Sequence, residues 1–246
     1  MNEVMRQLLA RKSVRAFENR PVGPAEKEAI LRAAMEAPTA GNQQLYTILD
    51  ITDEALKARL ARTCDNQPFI AEAPMVLIFC ADCLRWLDAY REAGCRARRP
   101  GAGDLMLAVN DAVIAAQNAV TVAWSLGIGS CYIGDVMERC EEHRAMLGLP
   151  AYVFPAAMLV FGYPTQQQAA REKPERFALE DIVCENAYRR KGGEALRRML
   201  EKRCGARGYE AWVRAFCERK YDSGFSREMT RSVEVYLADF LEGGER

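Results

Sequence analysis

The stretch RKSVRAF, Arg11 to Phe17, sets three cations and a hydroxyl within five residues and closes on an aromatic ring. In an extended chain side chains alternate, so Arg11, Ser13 and Arg15 share one face while Lys12 and Val14 take the other. Two guanidinium forks around a hydroxyl match the oxygens of a phosphomonoester, which they bind bidentately while staying charged. A solvated basic turn has the same composition, and this stretch alone leaves both accounts standing. On the anion-site account Lys12 and Val14, on the opposite face, are expected to be comparatively tolerant of substitution. Lys173 and Arg176, in KPERF, offer a second half for the anion grip, following an apolar run and a polar loop. Surface charge is the competing account there too.

APTAGNQQ, Ala37 to Gln44, carries different chemistry. Small residues and amide side chains can lie against a planar heteroaromatic and hydrogen-bond its edge, although a plain helix-to-strand loop would look the same. Gln67, in DNQPF, is another amide of this kind. No GxSxG elbow, P-loop or GxGxxG fingerprint occurs, and GIGSCYIG has its glycines in the wrong spacing and context for a dinucleotide turn. His143 is the single histidine, and the CxxC of Cys80 and Cys83 stands alone, so neither a His-based triad nor a metal centre is expected. Protein side chains alone have little to catalyse with. A bound cofactor carrying the reaction would explain the shortage.

These groups need a scaffold, and the pattern supplies one. A short helix is expected over residues 2–10, and a second from Pro24, a good first helical residue, to a stop before Pro38. A strand follows at Tyr46 to Ile51, then a helix with Leu56 and Leu60 on one face. The continuously apolar PMVLIFCA, Pro74 to Ala81, reads as a central strand covered on both sides. Residues 94–103 read as an exposed loop, whose Arg-rich part at 96–99 is solvated surface. From Asp104 to Leu126 the pattern is a helix apolar around most of its circumference, buried centrally or at a subunit interface. GIGSCYIG reads as a strand entering a turn, with Asp135 and Glu138 as cap and third residue of the next helix. A second buried strand spans Ala156 to Gly162, and helices run from about 192 onward. In that segment Arg197, Arg198, Arg203 and Arg207 read as the wet face of a helix. Strands separated by helices make an α+β or α/β domain.

The 246 residues, half of them hydrophobic, are enough for a sizeable core. Basic and acidic residues stand at 34 each, so no global field draws the chain to nucleic acid or an anionic membrane. No apolar run approaches the ~20 residues of a membrane span. The N-terminus lacks the apolar core and cleavage site of a secretory signal. Nine cysteines, an odd number scattered through apolar stretches, suit a reducing compartment, and a cytoplasmic location is expected.

Taken in order, RKSVRAF, APTAGNQQ, DAVIAAQNAVTVAWSLGIGSCYIG and RFALEDIVCENAYR resemble the nitroreductase family of FMN-dependent oxidoreductases, over residues 4 to about 190. The helical remainder resembles the C-terminal extension of the flavin-reductase and NADPH-nitroreductase branch. The resemblance implies an α+β fold, a central, mainly antiparallel sheet wrapped by helices in an intertwined homodimer. Residues 1–190 would be the FMN-binding domain and 191–246 an extension packed on the same core. By motif, it implies Arg11 and Ser13 at the FMN phosphate, joined by Lys173 and Arg176. Arg15 would sit at the N1/O2 edge of the ring, where negative charge develops on reduction. Pro38, Thr39, Ala40 and Asn42 would reach the ring from the partner subunit and Gln67 the ribityl chain, with the backbone of Tyr132, Ile133 and Gly134 near N5 and O4. The implied activity is hydride transfer from NAD(P)H through flavin N5 to a small-molecule acceptor, such as a nitroaromatic, quinone or flavin, in a ping-pong cycle. It needs no catalytic side chain and no metal. NADH and NADPH both stay open, with Arg197, Arg198, Arg203 and Arg207 as an alternative contact for an NADPH 2′-phosphate, and so does the alternative of a flavin-binding or flavin-delivering protein with little turnover. Reductive dehalogenation or flavin fragmentation is a further, weaker alternative.

Overall fold

The computed structural model describes residues 1–241. Its contacts divide into two units: residues 1–171 with the chain from Glu228 onward, and residues 172–227. The first unit carries, in chain order, α1 (Glu3–Ala10), α2 (Pro24–Met35), β1 (Tyr46–Asp50), α3 (Glu54–Thr63), α4 (Phe69–Glu72), β2 (Met75–Asp82), α5 (Leu84–Glu92), α6 (Ala102–Ser125), β3 (Gly129–Ile133), α7 (Cys140–Leu147), β4 (Val153–Gly162) and α8 (Gln166–Ala170). The second holds α9 (Leu179–Ile182), α10 (Gly193–Cys204) and α11 (Tyr209–Lys220), and α12 (Gly224–Leu241) begins there and continues in the first.

Among the described residues the strands form one sheet in the order β1-β2-β4-β3, with every neighbouring pair antiparallel. The α+β expectation holds. PMVLIFCA is a central strand because both of its faces are covered. Met75, Leu77 and Phe79 join the cluster of α2 and α6, and Val76, Ile78 and Cys80 that of α3 and α4. Continuous apolarity is what two-sided burial requires. β4 is likewise covered on both faces, with Phe154, Ala156, Leu159 and Phe161 in the first cluster and Val153, Met158 and Val160 in the second, and it begins at Val153, earlier than the expected Ala156.

The helix starts follow local chemistry. In α2 Pro24 takes an early position where its missing N–H costs nothing, and the Glu26 carboxylate accepts the Gly23 amide at 2.7 Å. In α3 the Asp53 carboxylate accepts the Leu56 amide at 2.6 Å. Helix α6 runs from Ala102, and its all-round apolarity divides into two kinds of side chain. The residues turned to the core are mostly alanines, Ala108, Ala112, Ala115, Ala116, Ala119 and Ala123 among them, while Met106, Leu107 and Ile114 are exposed. Small side chains let the helix lie close on the sheet and leave the large apolar ones outside. By length and composition alone α6 could also cross a bilayer, which counting uninterrupted apolar residues does not reveal. Here that composition serves packing against α2 and the sheet.

Helix α5 lies where the sequence reading assigns no element, although LRWLDAYRE has helical spacing. One local expectation fails. Asp135 and Glu138 do not cap a helix: residues 134–137 form a single 3-10 turn, and α7 starts only at Cys140, after Arg139 in a left-handed conformation (φ 48°, ψ 51°).

Candidate functional site

RKSVRAF is held against the sheet from two sides. Ser13 bridges Ser130 of β3 in parallel, and the Val14 amide donates to the Ser130 carbonyl at 2.9 Å. On the other side Phe17 bridges Pro164, the Thr165 amide donates to Ala16 O at 3.2 Å, and the Gln168 side chain accepts the Arg15 amide at 3.0 Å. The extended geometry imposes the expected alternation. Val14 points inward with no exposed surface, while Ser13 and Arg15 are exposed and Arg11 half-buried. Among the described residues neither the Arg11 nor the Arg15 side chain forms an ion pair or hydrogen bond. The exposed face is therefore a row of cation, hydroxyl and cation with no carboxylate to neutralise it.

The opposite face is not tolerant, contrary to expectation. Gly129 and Gly162 stand opposite each other in the β3/β4 register. A methyl at Gly129 would lie 2.5 Å from Val14 Cγ2, and one at Gly162 would lie 2.7 Å from the Phe17 ring. The two glycines are the clearance that lets the segment cross the sheet end. Lys12 is engaged as well, since its ammonium donates to the carbonyl of Ala169 at 2.6 Å and to that of Arg171.

The Ser13–Ser130 bridge carries the cation row to β3, which ends in Tyr132 and Ile133 and turns at Gly134. Burial pushes the Tyr132 phenol up to about 12, with the nearby Arg11 charge working the other way. Its hydroxyl donates to Gln117 of α6 at 3.4 Å. The turn after Gly134 is pinned by His143. That ring accounts for both nitrogens, with Nδ1 on Val136 O and Nε2 on Thr63 Oγ1, each at 2.8 Å. Because a carbonyl only accepts, Nδ1 carries the proton in the neutral ring and the Thr63 hydroxyl donates to Nε2. Burial lowers the His143 pKa, so the neutral ring is favoured. Beside it Glu138 is buried, and its Oε1 has no hydrogen-bond partner among the described residues. Burial, then the charges of Asp135, Asp65 and Glu228, pushes that carboxyl up to about 7 against Arg139.

Gln67 lies in a tight turn after α3, with Asp65 and Asn66 both at positive φ, and its side-chain amide donates to Cys64 O at 2.9 Å. Two residues on, the Phe69 ring lies 5.9 Å from the Arg15 guanidinium carbon. The Gln67 turn, the cation row and the Tyr132–Gly134 turn are thus neighbours in one unit.

Pro38, Thr39, Ala40 and Asn42 are elsewhere. Among the described residues no hydrogen bond, ion pair or ring contact joins their loop to residues 11–15. The loop is held by groups the sequence reading missed. Asp111 of α6, almost fully buried, accepts the amides of Ala40 at 2.9 Å and Leu45 at 3.1 Å. Trp86 Nε1 donates to Gln43 O at 2.8 Å, and Arg85 donates to Gln44 O at 3.1 Å. A carboxylate inside an otherwise apolar helix, VNDAVIAA, was the available signal for Asp111. Lys173 and Arg176 belong to the second unit, where Arg176 lines a cavity of about 830 Å³ with Phe177, Arg198, Lys202 and Arg203. In that cavity Lys202 is paired with Glu175 at 2.6 Å, and the Arg203 guanidinium sits 3.8 Å over the Phe177 ring. Among the described residues no group of three or more His, Cys, Asp or Glu side chains is placed to hold a metal ion.

A row of cation, hydroxyl and cation, unneutralised among the described residues, thus lies on the β3 edge of an α+β sheet, next to the turn that follows that strand. The match to the Nitroreductase family covers residues 8–163, which include the row, the loop and the turn. The chain belongs to that family. It is 33% identical to an FMN reductase [NAD(P)H] of Bacillus subtilis over 175 residues, 70% of each chain. It is 35% identical to an oxygen-insensitive NADPH nitroreductase of Salmonella typhimurium over 188 residues, 76% of this chain and 75% of that one. Among solved structures, NfrA2 of B. megaterium superposes over the whole of both chains with a TM-score of 0.83 at 25% identity.

Proposed function

We propose that the protein is an FMN-dependent NAD(P)H oxidoreductase of the nitroreductase type, working as a homodimer on a small-molecule electron acceptor such as a nitroaromatic, quinone or flavin. The observation that carries this reading is the outward Arg11, Ser13 and Arg15 face, which forms no ion pair among the described residues and is bridged through Ser130 to the Tyr132–Gly134 turn. The residues fit the cofactor. Two guanidinium groups and a hydroxyl are phosphate-ester donors, and the adjacent turn offers backbone N–H groups to a polar ring edge.

Bound FMN would supply hydride acceptance from NAD(P)H and delivery to the acceptor in a ping-pong cycle. The chain's own residues hold and tune. Arg11 and Ser13 grip the phosphate, with Lys173 and Arg176 as proposed additional contacts. Arg15 keeps a fixed positive charge at the N1/O2 edge, where a preorganised cation favours developing negative charge. Gln67 reaches the ribityl chain, and Tyr132, Ile133 and Gly134 present backbone to N5 and O4. Pro38, Thr39, Ala40 and Asn42 serve the partner's ring, which accords with a loop anchored on α6 away from its own chain's cation row. Exposed Met106, Leu107 and Ile114 on α6 and Val4, Met5, Leu8 and Leu9 on α1, which lies against it, support a covering second copy. Residues 1–190 as the FMN-binding domain with 191–246 as its extension, and a cytoplasmic setting suited to nine free cysteines, belong to the same proposal.

The test is uptake of FMN by the purified chain, followed by steady-state NAD(P)H oxidation with a quinone or nitroaromatic. Turnover is expected. A chain that binds FMN and oxidises neither nicotinamide is a flavin carrier, and one that stays colourless refutes the reading.

A further inference from the structure

We infer that Asp111 is the positioning residue for the 38–44 loop, and that through this loop it sets how tightly and in what geometry the flavin ring is held. The inference rests on the FMN reading above. Asp111 is 3% exposed, on the inward side of α6 among alanines, where a carboxylate survives only if its oxygens are satisfied. They are satisfied by backbone alone: one takes the Ala40 amide and the other the Leu45 amide. Those amides bracket the residues in the loop with unusual backbone, since Gly41, Asn42 and Gln44 all have positive φ (57°, 56° and 50°). For Asn42 and Gln44 this conformation is costly and persists only when the surroundings impose it. Two turns further along the same side of α6, Asn118 donates its amide to Ala33 O at 3.1 Å. Helix α6 therefore staples residues 33–45 at both ends, and only the Asp111 staple touches the loop itself. The Thr39 hydroxyl, accepting the Gln44 amide at 3.2 Å, closes the same small ring of contacts from within.

Asp111→Asn changes no volume but offers one backbone amide an N–H instead of an acceptor, so one end of the bracket opens. The experiment titrates FMN into the full-length wild type, Asp111→Asn and Asn118→Ala, and reads three things: the dissociation constant, the band shape of the bound flavin and the unfolding temperature. Asp111→Asn is expected to weaken FMN by about tenfold, the worth of one charge-assisted hydrogen bond, and to alter the flavin spectrum. Asn118→Ala is expected to lower the unfolding temperature with little change in either flavin readout. Equal flavin effects in the two variants, or an unchanged dissociation constant and spectrum in Asp111→Asn, overturn the inference while leaving the cofactor reading intact. A wild type that takes up no FMN overturns both. Should Asp111→Asn not fold, hydrogen exchange of the wild type decides. Slow amides at Ala40 and Leu45 before FMN is added, with further slowing across 39–44 after it, support the staple. Fast exchange at those two amides overturns it.

Discussion

Gly129→Ala tests the packing that sets RKSVRAF in place. The added methyl would meet Val14 Cγ2 at 2.5 Å, Cβ at 2.7 Å and Cγ1 at 3.0 Å. Val14 is fully buried and its backbone is bonded to Ser130, so it has nowhere to retreat without pulling Ser13 off the strand. Overpacking of this kind costs about 1–3 kcal/mol. At this chain length about 2 kcal/mol corresponds to a drop of roughly 4–8 °C in Tm. Val14→Ala alone removes two buried methyl groups and should cost about 2 kcal/mol. The double variant should cost less than the sum by about 1 kcal/mol, because the two Cγ contacts vanish while that at Cβ remains. Thermal and urea unfolding of the four proteins gives the cycle, and FMN titration of the same samples shows whether Gly129→Ala also weakens the cofactor. Additive costs, or a Gly129→Ala protein as stable as wild type, would refute the claim that this clearance positions the cation row.

Arg11→Ala should weaken FMN by one to two decades, the worth of a charge-assisted contact of about 1.5–3 kcal/mol, and an unchanged dissociation constant would return Arg11 to solvated surface. Glu138 is an acid raised in the fold from 4.5 to about 7, so its contribution is present at low pH and is lost as pH rises through about 7. Glu138→Gln should therefore gain Tm relative to wild type across that rise, and a pH-independent difference would contradict the assignment. His143 is a base lowered from 6.5, so its contribution is lost as pH falls below that value. A His143→Gln variant should show a flatter Tm profile on the acid side than wild type. Brief alkylation of the native protein should label exposed Cys95, Cys184 and Cys217 but spare Cys64, Cys80 and Cys83, whose thiols burial pushes up to about 12, as peptide mass mapping would show.

What could be read from the sequence was what repeats locally. Alternation in RKSVRAF, the apolar run at Pro74 to Ala81 and the proline-signalled α2 each follow from backbone geometry acting over a few residues. The misses are long-range. Val14 and Lys12 looked dispensable because their partners, Gly129 and the carbonyls of Ala169 and Arg171, lie more than a hundred residues away. The all-round apolarity of α6 was legible, but not which side faces the sheet: alanine is a weak hydrophobic signal, yet close approach to the sheet makes it the preferred inward residue. Asp111 was overlooked because its role depends on the amides of Ala40 and Leu45, which no spacing rule connects to it. The family resemblance supplied order among the motifs, and the fold explains why that order matters: RKSVRAF must reach β3 to lie beside the turn that follows it.

Anaerobic addition of NADPH, and separately NADH, to the purified protein while its visible spectrum is followed tests the central claim most directly. The account predicts flavin absorbance bands that bleach with at least one nicotinamide and return when a quinone is added. A protein without those bands even after incubation with FMN, or with bands that neither nicotinamide bleaches, contradicts it.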